Sequence, residues 1–240
     1  MSEELLIARD GPCWTFTLNR PDKMNALSAE LVEALLDAVD EVSHGDARLV
    51  VFRGNGKNFS AGFDFGNQSG QSDAELLWRF VRVELLLQRV AALPCLTVGL
   101  AHGRSFGAGV DLFAVCRQRI CAPASTFRMP GLQFGLVLGS RRFAALVGED
   151  VATDILGAGR TFDAEEAERN GFVTETAGQD QWDDRIARAA ATASTLPASD
   201  YAAMLRAVRS EANDVDLARL VRSAARPGLR QRIANFRQQA

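Results

Sequence analysis

The stretch AHGRSFGAGVDL, residues 101–112, predicts the end of a strand, a glycine-rich turn and the start of a helix. The apolar run Cys95–Ala101, which leads into it, is typical of a buried strand. A helix that begins after such a turn presents unpaired backbone N–H groups and a partial positive charge. We therefore expect this turn to direct backbone donors into a site.

A second turn of the same kind lies in FRGNGKNFSAGFDF, residues 52–65. It follows the predicted strand Arg48–Gly54 and also carries glycine where the chain must bend. A single glycine-rich turn is more often explained by packing than by function. Two of them in one chain indicate a site to which both contribute.

Three blocks of the sequence together resemble the crotonase superfamily, also called the enoyl-CoA hydratase/isomerase family. They are NRPDKMNALSAEL at residues 19–31, FRGNGKNFSAGFDF at 52–65 and AHGRSFGAGVDL at 101–112. Their order and spacing match the family and do not single out one of its reactions. The resemblance implies an α/β protein built as a crotonase-like ββα spiral, with two nearly perpendicular sheets and a C-terminal helical trimerisation module.

The pattern of predicted elements indicates a β/α core over residues 1–195 and a helical region over 196–240. The resemblance implies that these are a ββα core and an oligomerisation region. From Gln181 onward nearly the whole sequence has helical periodicity. Because the C-terminal helices of this family build trimers that usually stack as hexamers, we expect a homotrimer or homohexamer.

The site implied by the resemblance has two parts. The N–H groups of Phe63 and Ala108 would form an oxyanion hole for the carbonyl of an acyl-CoA thioester. Coenzyme A is expected as part of the substrate, with no permanently bound cofactor and no metal. The residues expected near it are Lys23, Asn25, Ala26, Leu27, Ala61, Gly62 and Gly107. Lys23 has an equally good interpretation as a solvated charge in a turn.

The acid residues of the family are only partly present. Asp111 stands three residues after Ala108, at the first acid position, and a structural role for it at the helix start is the alternative interpretation. The position of the second carboxylate in the hydratases of the family is Gly131, which has no side chain. The position where its isomerases carry Glu or Asp, and a dehalogenase its nucleophilic Asp, is Gly139, which has none either. Ser140, Arg141 and Arg142 are further polar groups at the same turn.

The best-supported function is therefore acyl-CoA chemistry of the enoyl-CoA hydratase/isomerase type, a lyase or isomerase reaction of fatty acid metabolism. A single carboxylate can move a proton between two carbons, because the same group can act as base and then as acid. Decarboxylation, thioester hydrolysis and acyl-CoA binding without catalysis stay open, since both secondary acid positions are glycine. A dinucleotide-binding dehydrogenase is disfavoured, because no acid follows the glycine turn at the required spacing.

Periodicity and capping signals predict the main secondary structure. Strands are expected at Trp14–Asn19 and Arg117–Ala122, besides the two named above. Helices are expected at Ser28–Ser43, Asp73–Leu93 and Asp163–Asn170, with Ser28 and Asp163 as N-caps.

The composition, 47% apolar and 24% charged, is that of an ordinary globular protein. The start of the chain is acidic, unlike a signal peptide, so we expect a cytoplasmic protein that does not enter the membrane. Neither histidine has a second ligand at metal-binding spacing. The four cysteines are expected to be free thiols, and they are Cys13, Cys95, Cys116 and Cys121.

The charge distribution is uneven, with eight Arg against three acidic residues over 201–240, a local charge of +5. No basic stripe with interleaved aromatic residues is present, so nucleic acid is not an expected partner. Solvated helix faces explain such a cluster as well as anion binding does. If it binds an anion, we expect Arg230 and Arg232 to lie near a coenzyme A phosphate.

Overall fold

A computed structural model describes residues 3–66, 70–208 and 212–239. Its larger sheet has six strands in the order β1-β2-β3-β4-β6-β9. Strands β1 and β2 form an antiparallel hairpin, and all later neighbours in this sheet are parallel. The strands are β1 (Leu5–Asp10), β2 (Cys13–Leu18), β3 (Leu49–Gly54), β4 (Leu96–Ala101), β6 (Gln118–Cys121) and β9 (Glu175–Thr176).

A second sheet has three strands in the order β5-β7-β8. They are β5 (Arg104–Phe106), β7 (Thr126–Arg128) and β8 (Thr161–Asp163). The segment after β3 adds only an isolated bridge to it, between Ser60 and Ser105. Strands β4 and β6 are each followed by a strand of the small sheet and then a helix, and this is the repeated ββα order. The mixed α/β fold with two sheets is confirmed, while their perpendicular crossing stays a prediction.

Ten helices connect and cover the sheets in the described part of the chain. They are α1 (Ala29–His44), α2 (Asp73–Ala92), α3 (Ala108–Ala114), α4 (Ser140–Val147), α5 (Glu149–Ala158), α6 (Ala164–Arg169), α7 (Trp182–Ala193), α8 (Ala198–Val208), α9 (Asn213–Ala224) and α10 (Leu229–Gln239). A 3-10 turn, Pro130–Phe134, follows β7.

The elements predicted from periodicity are present, and each of their ends agrees with the structure or differs by one residue. Ser28 caps α1 by accepting a hydrogen bond from the N–H of Leu31, and Asp163 caps α6 by accepting one from Glu166. Each cap pairs a helix N–H that has no acceptor within its own helix. The small sheet was not predicted, because strands of three residues are too short to show an alternating pattern.

The larger sheet separates two hydrophobic clusters, because successive residues of a strand face opposite sides. Val50 and Phe52 of β3 belong to the main cluster with α1, α2 and α3. Leu49 and Val51 of the same strand face the second cluster, which contains Trp182 of α7. The sheet is therefore covered on both faces.

The C-terminal helices pack on the rest of the same chain. Leu220 of α9 and Leu229 and Ile233 of α10 are fully buried in the main cluster. Asp73, the first residue of α2, accepts hydrogen bonds from the N–H groups of Gly228, Leu229 and Arg230. The start of α10 is thereby fixed to the start of α2. The division at residue 195 and the assembly into trimers or hexamers stay predictions.

We expect Asp73→Ala to lower the free energy of unfolding by about 1 kcal/mol, because it leaves the first N–H groups of α10 without their acceptor. Urea unfolding followed by circular dichroism measures this. The matched control is Asp46→Ala, which removes an exposed carboxylate from the loop before β3. Equal stability of the two variants would contradict an anchoring role for Asp73.

Candidate active site

The three sequence blocks become three neighbouring segments of backbone. The N–H of Leu27 donates to the Gly62 carbonyl (2.7 Å), and the N–H of Asp64 donates to the Leu27 carbonyl (3.1 Å). On the other side of this turn, the N–H of Phe106 donates to the Ser60 carbonyl (2.8 Å). The turn around Gly62 is thus held between the Leu27 segment and β5.

The N–H of Phe63 faces away from the Leu27 segment. It shares a peptide unit with the Gly62 carbonyl, which points towards Leu27, so the N–H points in the opposite direction. Ala108 is the first residue of α3, and its N–H has no acceptor four residues earlier within the helix. Both residues line one cavity.

The two turns touch through glycine. A Cβ atom at Gly62 would lie 2.3 Å from the Phe106 carbonyl oxygen and 2.9 Å from the Ala108 nitrogen, so no other residue fits without displacing the backbone. Gly62 has φ 81° and Gly107 has φ 49°, both in the region that favours glycine. The backbone contact places the two donor residues beside each other.

The cavity has a volume of about 300 Å³. Apolar side chains form most of its wall, and Asp111, Arg128 and Ser140 are the polar ones among the described lining residues. The apolar lining consists of Ala61, Phe63, Phe65, Phe80, Phe106, Ala108, Met129, Pro130, Leu132, Phe134, Leu136, Leu138, Leu156 and Phe236. Such a wall suits an apolar ligand that approaches a few polar groups at one point.

Asp111 is the only carboxylate among these described lining residues, and it is 4% exposed. Its Oδ1 atom is buried without a hydrogen-bond partner. A Cβ atom at Gly139 would lie 1.7 Å from that oxygen, so the carboxyl group occupies the space that a side chain at position 139 would need. The sequence predicts Gly139 as an absent acid, and the structure gives it the further role of making room for Asp111.

Burial raises the pKa of Asp111 well above its ordinary value, because a carboxylate loses its hydration there. The positive charge of Arg142 opposes this rise and the negative charge of Glu84 adds to it. Arg142 and Glu84 form a two-bond ion pair (2.9 and 2.6 Å) between α4 and α2. Asp216 lies 3.4 Å from the Arg142 guanidinium and also pairs with Arg141 (2.7 Å).

The segment expected near coenzyme A lies against the Gly62 turn. Asn25 is fully buried, and its side-chain amide donates to the carbonyls of Asn55 and Asn58 while its oxygen accepts the N–H of Arg20. Its side chain therefore fixes the local backbone. Lys23 is exposed at the end of a separate short 3-10 helix, Pro21–Lys23. The neighbours Ala26 and Leu27 are buried, and Ala61 lines the cavity together with Gly107.

The two arginines of α10 differ in their surroundings. The Arg232 guanidinium donates to the carbonyls of Phe134 (2.9 Å) and Arg226 (3.0 Å), and its other contacts are also carbonyls of its own chain. This arrangement favours a structural role over the predicted phosphate contact. Arg230 is exposed at the start of the helix, and its phosphate contact stays a prediction.

Sequence patterns missed two features of the site. The Arg142–Glu84 pair joins residues 58 positions apart, and only the polar cluster at 140–142 pointed towards it. The cavity wall collects phenylalanines from α2, the Gly62 turn, the 3-10 turn and α10, and the only sequence signal was 14 Phe in the chain.

The residues that the structure describes contain no group of three or more His, Cys, Asp or Glu side chains arranged to hold a metal ion. In the same residues, no helix has both the length and the apolar character needed to span a membrane.

The sequence matches the family model of enoyl-CoA hydratase/isomerase over residues 12–225. The probable enoyl-CoA hydratase echA8 of Mycobacterium tuberculosis is 30% identical over 198 residues, which cover 81% of this chain and 75% of the relative. The probable enoyl-CoA hydratase echA6 of Mycobacterium bovis is 33% identical over 182 residues, 73% of each chain.

Solved structures give the same relationship. A crystal structure from Bordetella parapertussis, which carries the enoyl-CoA hydratase/isomerase family name, is 55% identical with a TM-score of 0.98 over 100% of both chains. The enoyl-CoA hydratase from Bacillus halodurans is 20% identical, with a TM-score of 0.85 over 97% of this chain and 99% of its own, and supports the fold alone.

We expect Gly139→Ala to destabilise the protein more than Gly11→Ala, by about 1–3 kcal/mol in the free energy of unfolding. Both glycines have positive φ, so both variants strain the backbone. At Gly11 no atom lies within 4 Å of the added methyl group, whereas at Gly139 it meets the Asp111 carboxyl group. Urea unfolding of the pair measures the difference, and equal losses would show that Asp111 does not fill this space.

We expect Asp111→Asn to change how stability depends on pH. The folded protein keeps the Asp111 proton to a higher pH than the unfolded chain, whose Asp residues titrate near pH 3.9. The unfolded chain therefore binds fewer protons, and this residue lowers wild-type stability as pH rises from about 4 to the raised folded pKa.

The asparagine variant lacks that loss, so it should gain stability relative to wild type across this range. Urea unfolding at about pH 5, 6, 7 and 8 measures the gain. Asp46→Asn is the control, because Asp46 is exposed. A constant difference between wild type and Asp111→Asn at every pH would contradict a raised pKa.

Proposed function

Because the chain belongs to the enoyl-CoA hydratase/isomerase family, we propose that it binds an acyl-CoA thioester and stabilises its enolate with the N–H groups of Phe63 and Ala108. The observation that carries this proposal is the backbone contact at Gly62, which puts both residues side by side on one cavity. A thioester that loses a proton from its α-carbon develops negative charge on the carbonyl oxygen. One such donor is worth about 2.7–4 kcal/mol to that transition state.

Asp111 is the group that we assign to proton transfer. As a carboxylate it takes a proton from C2 of a 3-enoyl thioester, and the electrons move into a dienolate. The dienolate oxygen accepts hydrogen bonds from the N–H groups of Phe63 and Ala108. The protonated Asp111 then returns the proton to C4, and the double bond moves to C2–C3. The proton and electron pair balance without any other reactant, and one carboxyl group serves as base and acid.

Isomerisation fits the cavity better than hydration does. Addition of water in this family uses a second carboxylate at the position of Gly131, which supplies none. The position where isomerases of the family carry their acid is Gly139, so in this chain the proton transfer is left to Asp111 alone. Gly131 does line the cavity, but Asp111 is the single carboxylate among the described lining residues. The apolar wall also disfavours an ordered water, since a buried water needs about two to four polar partners.

The raised pKa of Asp111 suits this role. A carboxylate with a raised pKa is a stronger base once it has lost its proton, and the nearby charge of Arg142 favours that loss. The rate should therefore rise with pH through the folded pKa of Asp111.

For the rest of the substrate, we propose that the coenzyme A moiety lies along Asn25–Leu27 and the Ala61–Gly62 backbone. We assign its phosphates to Lys23 and Arg230, which are both exposed. Arg232 is less suited, because its guanidinium donates to carbonyls of its own chain.

We expect wild-type protein to convert 3-hexenoyl-CoA into 2-hexenoyl-CoA, and Asp111→Asn to do so at least about 100-fold more slowly with unchanged ligand affinity. The amide keeps the shape of the carboxyl group but cannot accept the C2 proton. Absorbance of the conjugated thioester measures turnover, and calorimetry with hexanoyl-CoA measures affinity.

A parallel incubation of hexanoyl-CoA in D2O separates the remaining alternatives. Deuterium at C2 without isomerisation of the enoyl substrate would support enolate formation in another reaction. Binding of both thioesters with neither exchange nor turnover would contradict enolate formation on these acyl groups and favour acyl-CoA binding without it. Full activity of Asp111→Asn would assign the proton transfer to another group.

A further inference from the structure

Five phenylalanine rings form a continuous chain along the cavity wall. Phe80 stacks on Phe63 with ring centroids 4.0 Å apart, and Phe63 lies 5.3 Å from Phe65. Phe65 lies 6.0 Å from Phe134, which lies 5.3 Å from Phe236. All five line the cavity. Successive ring contacts thus connect Phe63, whose N–H is the proposed donor, to Phe236 on α10.

The polar groups of the cavity come from elements other than those that carry these rings. The Ala108 N–H and Asp111 belong to the same short helix, and Asp111 packs against Gly139, next to Ser140. Arg128 also lines the cavity, but its guanidinium donates to the Gly159 carbonyl (2.9 Å) and to Gln133 (3.3 Å). A substrate with its thioester at Phe63 and Ala108 therefore places its acyl chain along the phenylalanine rings.

The end of this wall is fixed in position. Asp73 accepts hydrogen bonds from three backbone N–H groups at the start of α10, and Ile233 is fully buried one turn before Phe236. Arg232 donates to the carbonyls of Phe134 and Gly135, so it joins α10 directly to the 3-10 turn that carries the neighbouring ring. These contacts fix the position of α10, and Phe236 is therefore a fixed part of the cavity wall.

We propose that the acyl group of the substrate is apolar and of medium length, and that Phe236 sets the length limit by closing the far end of the cavity. This inference rests on the proposed acyl-CoA function. A non-hydrogen atom takes about 30 Å³ in a liquid such as water, so a cavity of 300 Å³ holds about ten of them. After the thioester group is counted, the acyl chain has room for about six to eight carbons.

The test is a binding series with the CoA thioesters of butyric, hexanoic, octanoic, decanoic and dodecanoic acid, with free coenzyme A as the baseline. These saturated thioesters do not turn over as enoyl substrates, so calorimetry gives equilibrium affinities. For wild type, affinity should rise about fourfold with each buried methylene and stop rising near octanoyl-CoA. In Phe236→Ala the rise should continue to decanoyl-CoA or dodecanoyl-CoA.

Two further variants separate a change in cavity length from loss of packing. Ile233→Ala removes a buried side chain from the same helix but not from the cavity wall. It should therefore lower the stability of the protein and leave unchanged the acyl-chain length at which affinity stops rising. Phe236→Trp adds volume at the far end and should move the limit to a shorter chain. A limit that shifts in opposite directions in the two Phe236 variants supports the proposal.

The outcomes also separate this inference from the function on which it rests. If no thioester binds better than free coenzyme A, the acyl-CoA site itself is refuted. If the thioesters bind and the limit is the same in wild type, Phe236→Ala and Phe236→Trp, only the role of Phe236 is overturned. A limit that moves equally in Ile233→Ala would overturn it as well, because displacement of α10 would then explain the effect.

Discussion

The candidate site depends on the close approach of two backbone turns at Gly62. The space that a side chain would take there is filled by the Phe106 carbonyl and the Ala108 nitrogen. Hydrogen bonds on both sides, to Leu27 and from Phe106, hold the turn in this position. The N–H groups that we propose as donors belong to the main chain and are fixed by the fold. In the proposed reaction they would therefore need little reorganisation when charge develops on the carbonyl oxygen.

A second constraint is the buried carboxyl group of Asp111, for which the fold provides no hydrogen-bond donor at one of its two oxygens. An unpaired buried oxygen costs stability, and Asp111 Oδ1 has no hydrogen-bond partner. Arg142, which would be its natural counter-charge, is already paired with Glu84 and lies near Asp216. Because Glu84 and Asp216 share the Arg142 guanidinium, Asp111 is not held as a permanently paired carboxylate. Its carboxyl group is therefore available to exchange a proton. Such a conflict between stability and charge is characteristic of functional sites.

Much of this arrangement could be predicted from the sequence, because it depends on local signals. The helix capped by Ser28 and the strands around Val51 and Val98 follow from periodicity. Phe63, Ala108 and Asp111 were implied by the resemblance to the family that the two glycine turns help to carry, and their roles stay predictions. The rest depends on contacts between distant residues. Gly139 was predicted only as a missing acid, since its contact with Asp111 exists only in three dimensions. Arg232 was predicted from local charge as a phosphate ligand, but the carbonyls that it meets come from other segments.

The C-terminal helix α10 contributes to the wall of the cavity that contains the candidate site. Phe236 belongs to the last described helix and lines the same cavity as Phe63, which lies near the start of the fold. The far wall is therefore complete only when α10 has packed against α2 and the 3-10 turn, through Asp73 and Arg232. Phe63 lies on the Gly62 turn, and Ala108 and Asp111 lie on α3, so the contacts that position them differ from those that Asp73 and Arg232 make with α10. Sequence changes in α10 can thus alter the size of the cavity while the groups assigned to the chemistry keep their positions, which separates the choice of substrate from the reaction.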